Sequence, residues 1–293
     1  MDFEELNTFL EVIRTQSLVS AARHLHVTPS TVTARISTLE EKLGQKLLHR
    51  RKSGAALTSA GFKFQRYAEL MTQVWRQARY EIALPSGVEG VCNAGLEFDL
   101  WHNVGSRFLD HVRTHAPRIA TALWPGEQRQ LQRWLDMGLI DIAFCYVPHA
   151  GEEYTSRLLL EDELILVSAG VNQSTALDSA YIYVDHGDQF RRQHAEAFPD
   201  ARPAQVTIAA SDWALDYLLR ADSKGSLPAR VVAPLIASGR LHRVEGAPLF
   251  LRRVYLVESA RATQSWTWYE AAVAEAAALA NGRTSEFLVQ HPG

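Results

Sequence analysis

One segment near the N-terminus carries side chains that could contact the bases of a nucleic acid. Between Thr28 and Glu40, one face of a predicted helix shows only short hydroxylic or small side chains and one arginine: Ser30, Thr31, Thr33, Ala34, Arg35, Ser37 and Thr38. A solvated helix face normally carries longer charged residues. Short donors and a methyl group instead suit a helix in the major groove of DNA, where base edges and phosphates are within reach. The alternative is a Ser/Thr-rich surface helix, which the neighbouring elements make less attractive.

Basic residues follow this helix directly. Residues 47–57 form two strand-like pieces around a glycine-containing turn, in which Arg50, Arg51 and Lys52 are placed to neutralise phosphates. Residues 1–84 hold 12 Lys and Arg against 8 Asp and Glu, whereas the remainder holds 18 against 25. A polyanion is therefore expected as a partner of the N-terminal part alone.

Three short helices are predicted to position this surface. Leu6, Phe9, Leu10 and Ile13 recur at helical spacing in the first helix. Ser17 is a predicted N-cap for the second helix, and Thr28 with Pro29 begins the third. The third helix buries Val32, Ile36, Leu39 and Leu43 and ends at Gly44. Together with the basic turn, this order predicts a helix-turn-helix followed by a wing.

A long helix is predicted from residue 59 to about residue 84, with Thr58 as its N-cap. Its apolar residues step by 3, 4, 3 and 4 through Phe64, Tyr67, Met71, Val74 and Ala78. This heptad spacing favours pairing with the same helix of a second copy. Packing within the same domain is the alternative interpretation.

Strand and helix patterns alternate from Val88 onward. Strands are predicted at 89–96, 119–124, 140–147, 163–168, 181–184, 206–209 and 253–258. Helices are predicted at 102–115, 127–137, 190–197, 212–220, 228–237 and 265–280. The alternation is typical of a parallel, doubly wound α/β architecture.

The chain resembles the LysR-type transcriptional regulators along essentially its whole length, most strongly over residues 3–66. The similar motifs are Leu6-x-x-Phe9-Leu10, Ser17-Leu18-x-x-Ala21-Ala22, Leu39-Glu40-x-x-Leu43-Gly44, Leu47-Leu48-x-Arg50 and Leu57-Thr58-x-Ala60-Gly61. In the second half, the stretches 118–124, 138–143, 224–228 and 238–241 resemble the effector domain of the family.

The resemblance implies a fold and a domain order. An N-terminal winged helix-turn-helix, mainly α-helical, would span 1–58, and a linker helix for dimerisation 59–87. An α/β effector domain like a periplasmic binding protein would span 88–293. Its first subdomain is expected at about 88–161 and 265–293, and its second at about 162–264.

The same resemblance implies a function. We expect a sequence-specific DNA-binding transcriptional regulator that responds to a small-molecule effector in the C-terminal cleft. The alternative is a DNA-binding regulator whose C-terminal domain only oligomerises and binds no ligand. Expected partners are double-stranded DNA at a promoter or operator, a homodimer or homotetramer of the chain itself, the effector, and RNA polymerase as a further candidate. The residues expected to contact DNA are Pro29, Ser30, Thr31, Thr33, Ala34, Arg35, Arg50, Arg51 and Lys52.

Two segments depart from the family pattern. The family often has arginine where this chain has Ala34, so the neighbouring Arg35 is turned by about 100° around the helix. The first effector-domain strand runs into Glu97-Phe98-Asp99-Leu100-Trp101 instead of a small Ser/Thr-rich turn. These acidic and bulky residues argue against carrying over a carboxylate effector. The residues expected to line the effector site are Phe98, Asp99, Trp101, Glu127, Gln128, Tyr146, Ser211 and Ser226.

No enzyme is expected: an α/β enzyme with a DNA-binding head is the alternative, but the sequence contains no Gly-x-Gly-x-x-Gly, Gly-x-x-x-x-Gly-Lys-Ser or Gly-x-Ser-x-Gly motif. Accordingly no catalytic residue, cofactor or metal site is predicted. His111 and His115 have the spacing of two metal ligands but lack a third, and Cys92 and Cys145 are expected as buried thiols, with a redox pair as the alternative. The acidic start MDFEELN does not resemble a signal peptide, and no apolar run of about 18 residues predicts a membrane helix. A cytoplasmic protein without a membrane partner is therefore expected.

Overall fold

The computed structural model describes residues 2–51, 54–149, 151, 153–170, 174–259 and 263–282. The chain divides into two compact units, one ending at Pro85 and the other beginning at Ser86. Each unit contains its own apolar core. Within the described residues, none of the helices combines the length and the apolar character needed to cross a bilayer.

Three helices begin the first unit: α1 (Phe3–Thr15), α2 (Leu18–His24) and α3 (Pro29–Leu43). The predicted starts of α2 and α3 are confirmed, because the Ser17 side chain accepts the N–H of Ser20 and that of Thr28 accepts the N–H of Thr31. Gly44 ends α3 with a φ of 65°, in the left-handed region that glycine tolerates best. The helices pack around a core that includes Leu6, Phe9, Ala21, Val32 and Ile36.

The predicted wing is an antiparallel hairpin of β1 (Leu48–Arg51) and β2 (Gly54–Leu57). The hairpin is held against the end of α1, because the N–H of Ala55 donates to the carbonyl of Gln16 at 2.8 Å. Gly54 adopts a φ of +132°, and a Cβ there would lie 2.3 Å from the Gln16 carbonyl oxygen. Only glycine fits this close approach. The contact therefore determines the position of β2 relative to the end of α1.

The long helix α4 (Ser59–Ile82) begins at the predicted N-cap, where Thr58 accepts the N–H of Gly61. The single apolar seam expected along it is wrong. Phe64 and Met71 pack against the core of their own unit, whereas Tyr67 and Val74 are exposed. The reason is that α4 must cover α1, so one half of its apolar surface is used within the unit and the other half faces outward.

The second unit begins with β3 (Gly90–Leu96), followed by two short turns, α5 (Ser106–His115), β4 (Ile119–Pro125), α6 (Gln128–Asp136), β5 (Ile142–Cys145) and the long β6 (Tyr154–Ser168). Strand β3 lies parallel to both β4 and β5. A core that includes Phe108 and Phe144 covers these strands and defines a first lobe.

A second lobe follows, with β7 (Ile182–Val184), α7 (Asp188–Ala197), β8 (Val206–Ile208), α8 (Ser211–Ala221), β9 (Lys224–Pro228), α9 (Ala229–Ala237) and β10 (His242–Arg243). Strands β7 and β8 are parallel. Strands β9 and β10 both pair with the end of β6 in antiparallel fashion. The core of this lobe includes Ile182, Leu218, Leu227 and Val232.

The chain returns through β11 (Phe250–Ser259) and ends the described part in α10 (Tyr269–Gly282), which packs on α5. Strand β11 runs antiparallel to β6 along its whole length and pairs with β5 from Tyr255 to Glu258. The expectation of a wholly parallel sheet is therefore wrong, because β6 and β11 cross between the lobes in opposite directions. The chain re-enters the first lobe within β11, before the boundary expected at residue 265.

Candidate nucleic-acid interface and ligand cleft

The N-terminal end of α3 presents a cluster of hydroxyl groups. The Thr28 Oγ1 atom lies 2.8 Å from both Ser30 Oγ and Thr31 Oγ1. Pro29, Ser30 and Ala34 are exposed, while Thr31 and Thr33 are half-buried. The α3 surface expected to contact DNA is thus at least partly accessible at its first two turns.

Several cations predicted to face a polyanion are paired with carboxylates of the same unit. Arg35 forms an ion pair with Glu4 of α1, and Lys42 Nζ lies 2.6 Å from Glu5 Oε1. Local sequence patterns could not predict these pairs, because the partners are more than 30 residues apart. Among the remaining predicted contacts, Arg50 and Arg51 lie in β1, and Lys52 lies outside the described residues.

A buried carboxylate connects α3 to the wing. Glu40 Oε1 accepts the backbone N–H groups of Leu47 at 2.9 Å and Leu48 at 3.1 Å, and Oε2 accepts Lys46 Nζ at 2.7 Å. Burial alone would raise the pKa of Glu40, but the ammonium group and the two N–H groups outweigh it and lower the pKa. Glu40 therefore stays ionised and positions β1 relative to α3.

The second unit contains a cleft of about 1230 Å³ between its two lobes. Six of the eight predicted effector residues line it: Phe98, Asp99, Trp101, Glu127, Gln128 and Tyr146. Ser211 and Ser226 lie behind the lining, each with 2 % or less of its surface exposed. The cleft also exposes Trp213, which the sequence analysis did not single out.

Asp99 crosses the base of this cleft from the first lobe to the second. Its Oδ1 accepts the backbone N–H of Ser211 at 2.9 Å, and its Oδ2 accepts the Ser211 hydroxyl at 2.8 Å. Arg252 Nη1 lies 3.4 Å from Oδ2, and His186 Nδ1 lies 3.7 Å from it. Ser211 is the first residue of α8, so the carboxylate caps that helix.

A second buried carboxylate extends the network along the crossing strands. Asp162 of β6 accepts Arg230 Nε at 3.1 Å and Arg252 Nη2 at 3.2 Å, and only 2 % of its side chain is exposed. Arg230 also donates to the backbone carbonyls of Asp99 and His102 in the first lobe. The Arg252 guanidinium lies 3.6 Å from the ring centroid of Tyr146. Two carboxylates and two guanidinium groups thus balance each other where the lobes meet.

Ionisation in this network follows from burial and charge. Burial would raise the pKa of Asp99, but His186, Arg252 and the Ser211 N–H outweigh it and hold the pKa far below its usual range. Burial raises the pKa of Glu97. It outweighs the N–H of Tyr146 and the positive charge of Arg252, which both favour the ionised carboxylate. Burial lowers the pKa of His186 and outweighs the opposing attraction of Asp99. His186 is therefore neutral near pH 7.

The two cysteines and the histidine pair were the other candidates, for redox chemistry and for metal binding. Cys92 and Cys145 lie in two different core clusters. Burial raises the pKa of both thiols, that of Cys145 to about 12, which disfavours the reactive thiolate. His111 and His115 stack with ring centroids 4.2 Å apart, and no third ligand-type residue joins them among the described residues.

Acidification is predicted to destabilise the second unit. His194 is packed among aromatic rings, with Nε2 at 2.9 Å from the Tyr181 hydroxyl, and burial lowers its pKa below the 6.5 of a free histidine, as it does for His186. The unfolded chain therefore binds protons that the folded chain does not, so the free energy of unfolding falls as the pH drops from 7.5 through 6.5. Urea unfolding at pH 7.5 and 5.5 measures this loss.

The His194→Gln variant isolates one of the two histidines, because a glutamine does not titrate. We expect it to lose less stability between pH 7.5 and 5.5 than the unchanged chain does. The raised pKa of Glu97 increases the free energy of unfolding as the pH falls. This effect is the same in both proteins and cancels in the comparison. Equal losses in the two proteins would contradict the assignment to His194.

A winged helix-turn-helix followed by a two-lobed α/β unit is the architecture of a transcriptional regulator, and the family comparisons support this class. Residues 3–62 match the bacterial regulatory helix-turn-helix proteins of the lysR family, and residues 99–267 match the LysR substrate binding domain. The chain belongs to the LysR family of transcriptional regulators, as its sequence motifs predicted.

Relatives and solved structures agree with this assignment. The chain is 27 % identical over 260 residues to the HTH-type transcriptional regulator HdfR of Shigella boydii serotype 18, covering 88 % of this chain and 91 % of that protein. The crystal structure of CbnR, a LysR family transcriptional regulator, superposes with a TM-score of 0.70 at 18 % identity, over 94 % of this chain and 99 % of that one. The crystal structure of full-length CbnR complexed with its target DNA superposes with a TM-score of 0.69 at 18 % identity, over 96 % of this chain and 100 % of that one. The predicted fold class is confirmed.

Proposed function

We propose that this chain binds specific DNA sites through α3 and the wing and regulates transcription in response to a small molecule in the inter-lobe cleft. The observation that carries the proposal is the exposed, hydroxyl-rich start of α3 beside the wing. Pro29, Ser30, Thr31, Thr33 and Ala34 would face base edges, Arg50, Arg51 and Lys52 would neutralise phosphates, and RNA polymerase remains a predicted partner. Arg35 would have to leave Glu4 before it could contact DNA. Retention of native promoter fragments at low ionic strength tests DNA binding.

The wing arginines are predicted to add affinity without sequence preference. Arg50→Ala should weaken binding to all DNA sequences and lower the slope of log K against log salt by about one unit, because one fewer counterion is released. Titrations of a specific and an unrelated duplex at several salt concentrations measure the slope. Glu41→Gln changes an exposed residue at the end of α3 and serves as a control. An unchanged slope in the arginine variant would remove Arg50 from the contact.

The cleft supports a ligand-responsive unit over one that only oligomerises. Its volume of about 1230 Å³ exceeds what a few ordered waters need, and exposed aromatic rings from both lobes line it, Phe98 and Trp101 from the first and Trp213 from the second. A ligand would favour one lobe arrangement by its difference in affinity between the arrangements. Thermal-shift screening of the full chain against a metabolite library tests this part, and a screen without hits favours the oligomerisation alternative.

Dimerisation through α4 would place two α3 helices on successive major grooves, roughly 34 Å apart. The outward half of the α4 apolar surface supports this pairing, since Tyr67 is 47 % exposed and Val74 is 45 % exposed. Exposed apolar groups of this size on one helix flank are typical of a protein interface.

Val74→Lys is predicted to shift the protein toward monomers at micromolar concentration, because the new charge must be buried when two copies pair. Sedimentation velocity measures the change. Arg76→Ala alters the opposite flank of the helix, two residues or about 200° away, and should leave association unchanged. Met71 is unsuitable for this test, since it packs within its own unit. A stable dimer of the Val74 variant would rule out this face.

A further inference from the structure

The base of the cleft has the chemistry of a site for a carboxylate. Three donors converge there: the backbone N–H and hydroxyl of Ser211 at the start of the 11-residue helix α8, and Nη1 of Arg252. The helix dipole adds a partial positive charge at the same end. The Arg252 side chain is 4 % exposed, so little water screens its charge.

A buried positive charge points independently to an anion at this position. Arg252, whose Nε has no hydrogen-bond partner among the described residues, brings its guanidinium group within 3.4 Å of Asp99 Oδ2. The neutral His186 ring beside it donates from Nε2 to the carbonyl of Ser226 at 2.8 Å, so it adds no donor to the site. The donors at the cleft base are thus supplied by the second lobe and a crossing strand, while the group they face belongs to the first lobe.

We propose that Asp99 is an internal ligand, whose carboxylate fills this anion site and holds the two lobes together, so that the ligand of the cleft carries no carboxylate at this position. This deepens the proposed function, on which it rests, by naming the chemical class that the effector site excludes. Asp99 stays ionised in its surroundings, and a second carboxylate beside it would meet direct repulsion. The ligand of the cleft then presents a neutral or positively charged group to this position.

Removing the carboxylate is expected to create a site that a free carboxylate can enter. Asp99→Ala lacks only the COO⁻ group, so formate has the matching size and charge. Without added anion, the variant should unfold at a temperature several degrees below that of the unchanged chain. Millimolar sodium formate should raise its midpoint saturably, since a ligand that binds only the folded state stabilises it. Sodium chloride at the same ionic strength should not.

Controls separate this result from a general salt effect or a general loss of packing. The unchanged chain should show no formate-specific shift, because Asp99 already occupies the site. Asp99→Asn fills the same space with an amide and should show none either. Asp212→Ala removes a neighbouring cleft carboxylate that pairs with His102 instead of the Ser211 donors, and it should show no formate-specific shift.

Asp99→Ser is measured beside the alanine variant in case the latter does not fold. Formate-specific stabilisation of either variant, absent from the unchanged chain, supports the proposal. The proposal is overturned if neither variant is stabilised, or if formate stabilises the unchanged chain equally. Neither readout depends on DNA or on an effector, so failure here leaves the proposed function standing, and failure to retain promoter DNA leaves this assignment standing.

Discussion

Asp162→Asn is expected to destabilise the second unit by about 3–5 kcal/mol, the typical cost of removing one partner from a buried ionic group. Asp162 faces both Arg230 and Arg252, at 3.1–3.2 Å, in a region where all three side chains are at least nine-tenths buried. With the carboxylate gone, Arg252 keeps Asp99 as an ion-pair partner, whereas the Arg230 guanidinium keeps only the backbone carbonyls of Asp99 and His102 among its contacts with described residues. Hydrogen exchange with mass spectrometry measures the loss and reports the two units of the full chain separately.

Two comparisons identify charge imbalance as the cause. Asp216→Asn breaks an exposed ion pair with Arg220 and should leave protection unchanged. The double variant Asp162→Asn/Arg230→Gln restores the balance of buried charge and should recover part of the loss. A double variant less stable than the sum of the two single changes would contradict this explanation. Protection in the first unit should be unaffected in every case.

The sequence predicted the helices of the first unit accurately because their boundaries depend on local interactions. Ser17, Thr28 and Thr58 each cap the helix that follows, and these bonds reach only three residues along the chain. Gly44 ends α3 for an equally local reason. Such signals need no knowledge of distant partners, so a single sequence contains them in full.

The sequence could not predict which cations are available to DNA or which strands cross between the lobes. Arg35 and Lys42 pair with α1 carboxylates that lie 31 and 37 residues away. The first half of β6 reads Tyr-Thr-Ser-Arg-Leu-Leu-Leu, without the alternation of polar and apolar residues that indicates a strand, so the predicted strand began only at residue 163. Its partner β9 begins 56 residues after β6 ends, β11 begins later still, and only their pairing reveals the antiparallel crossing.

The cleft contains residues that the sequence predicted and contacts that it could not predict. The acidic turn after β3 predicted a site unsuited to a carboxylate effector, and Asp99 of that turn lines the cleft. Its partners Ser211 and Arg252 are 112 and 153 residues away, so its role as a cap of α8 was beyond local reasoning. Ser211 was predicted to line the cleft, but its hydroxyl donates to Asp99 and the residue is buried behind the cleft surface.

In the first unit, Glu40→Ala is expected to cost about 3 kcal/mol and to weaken DNA binding to all sequences. The change leaves the N–H groups of Leu47 and Leu48 without their acceptor in a buried position, and each unsatisfied group costs about 1–3 kcal/mol. Because Glu40 is the connection between α3 and β1, its loss also frees the wing to move relative to the helix that should enter the major groove. Hydrogen exchange at Leu47 and Leu48 measures the first effect, and DNA titration measures the second.

Glu40→Gln separates the two contributions, because its amide oxygen can still accept both N–H groups while the ion pair with Lys46 is lost. Lys46 is 74 % exposed, so that ion pair is screened by water and the glutamine variant should retain most of the stability. Glu41→Gln, at the next and exposed position, should match the unchanged chain in both assays. If the glutamine and alanine variants of Glu40 were equally unstable, the charge rather than the two hydrogen bonds would hold the wing in place. A Glu40→Ala variant with full stability and full DNA affinity would show that the wing is positioned by β2 and Gln16 alone.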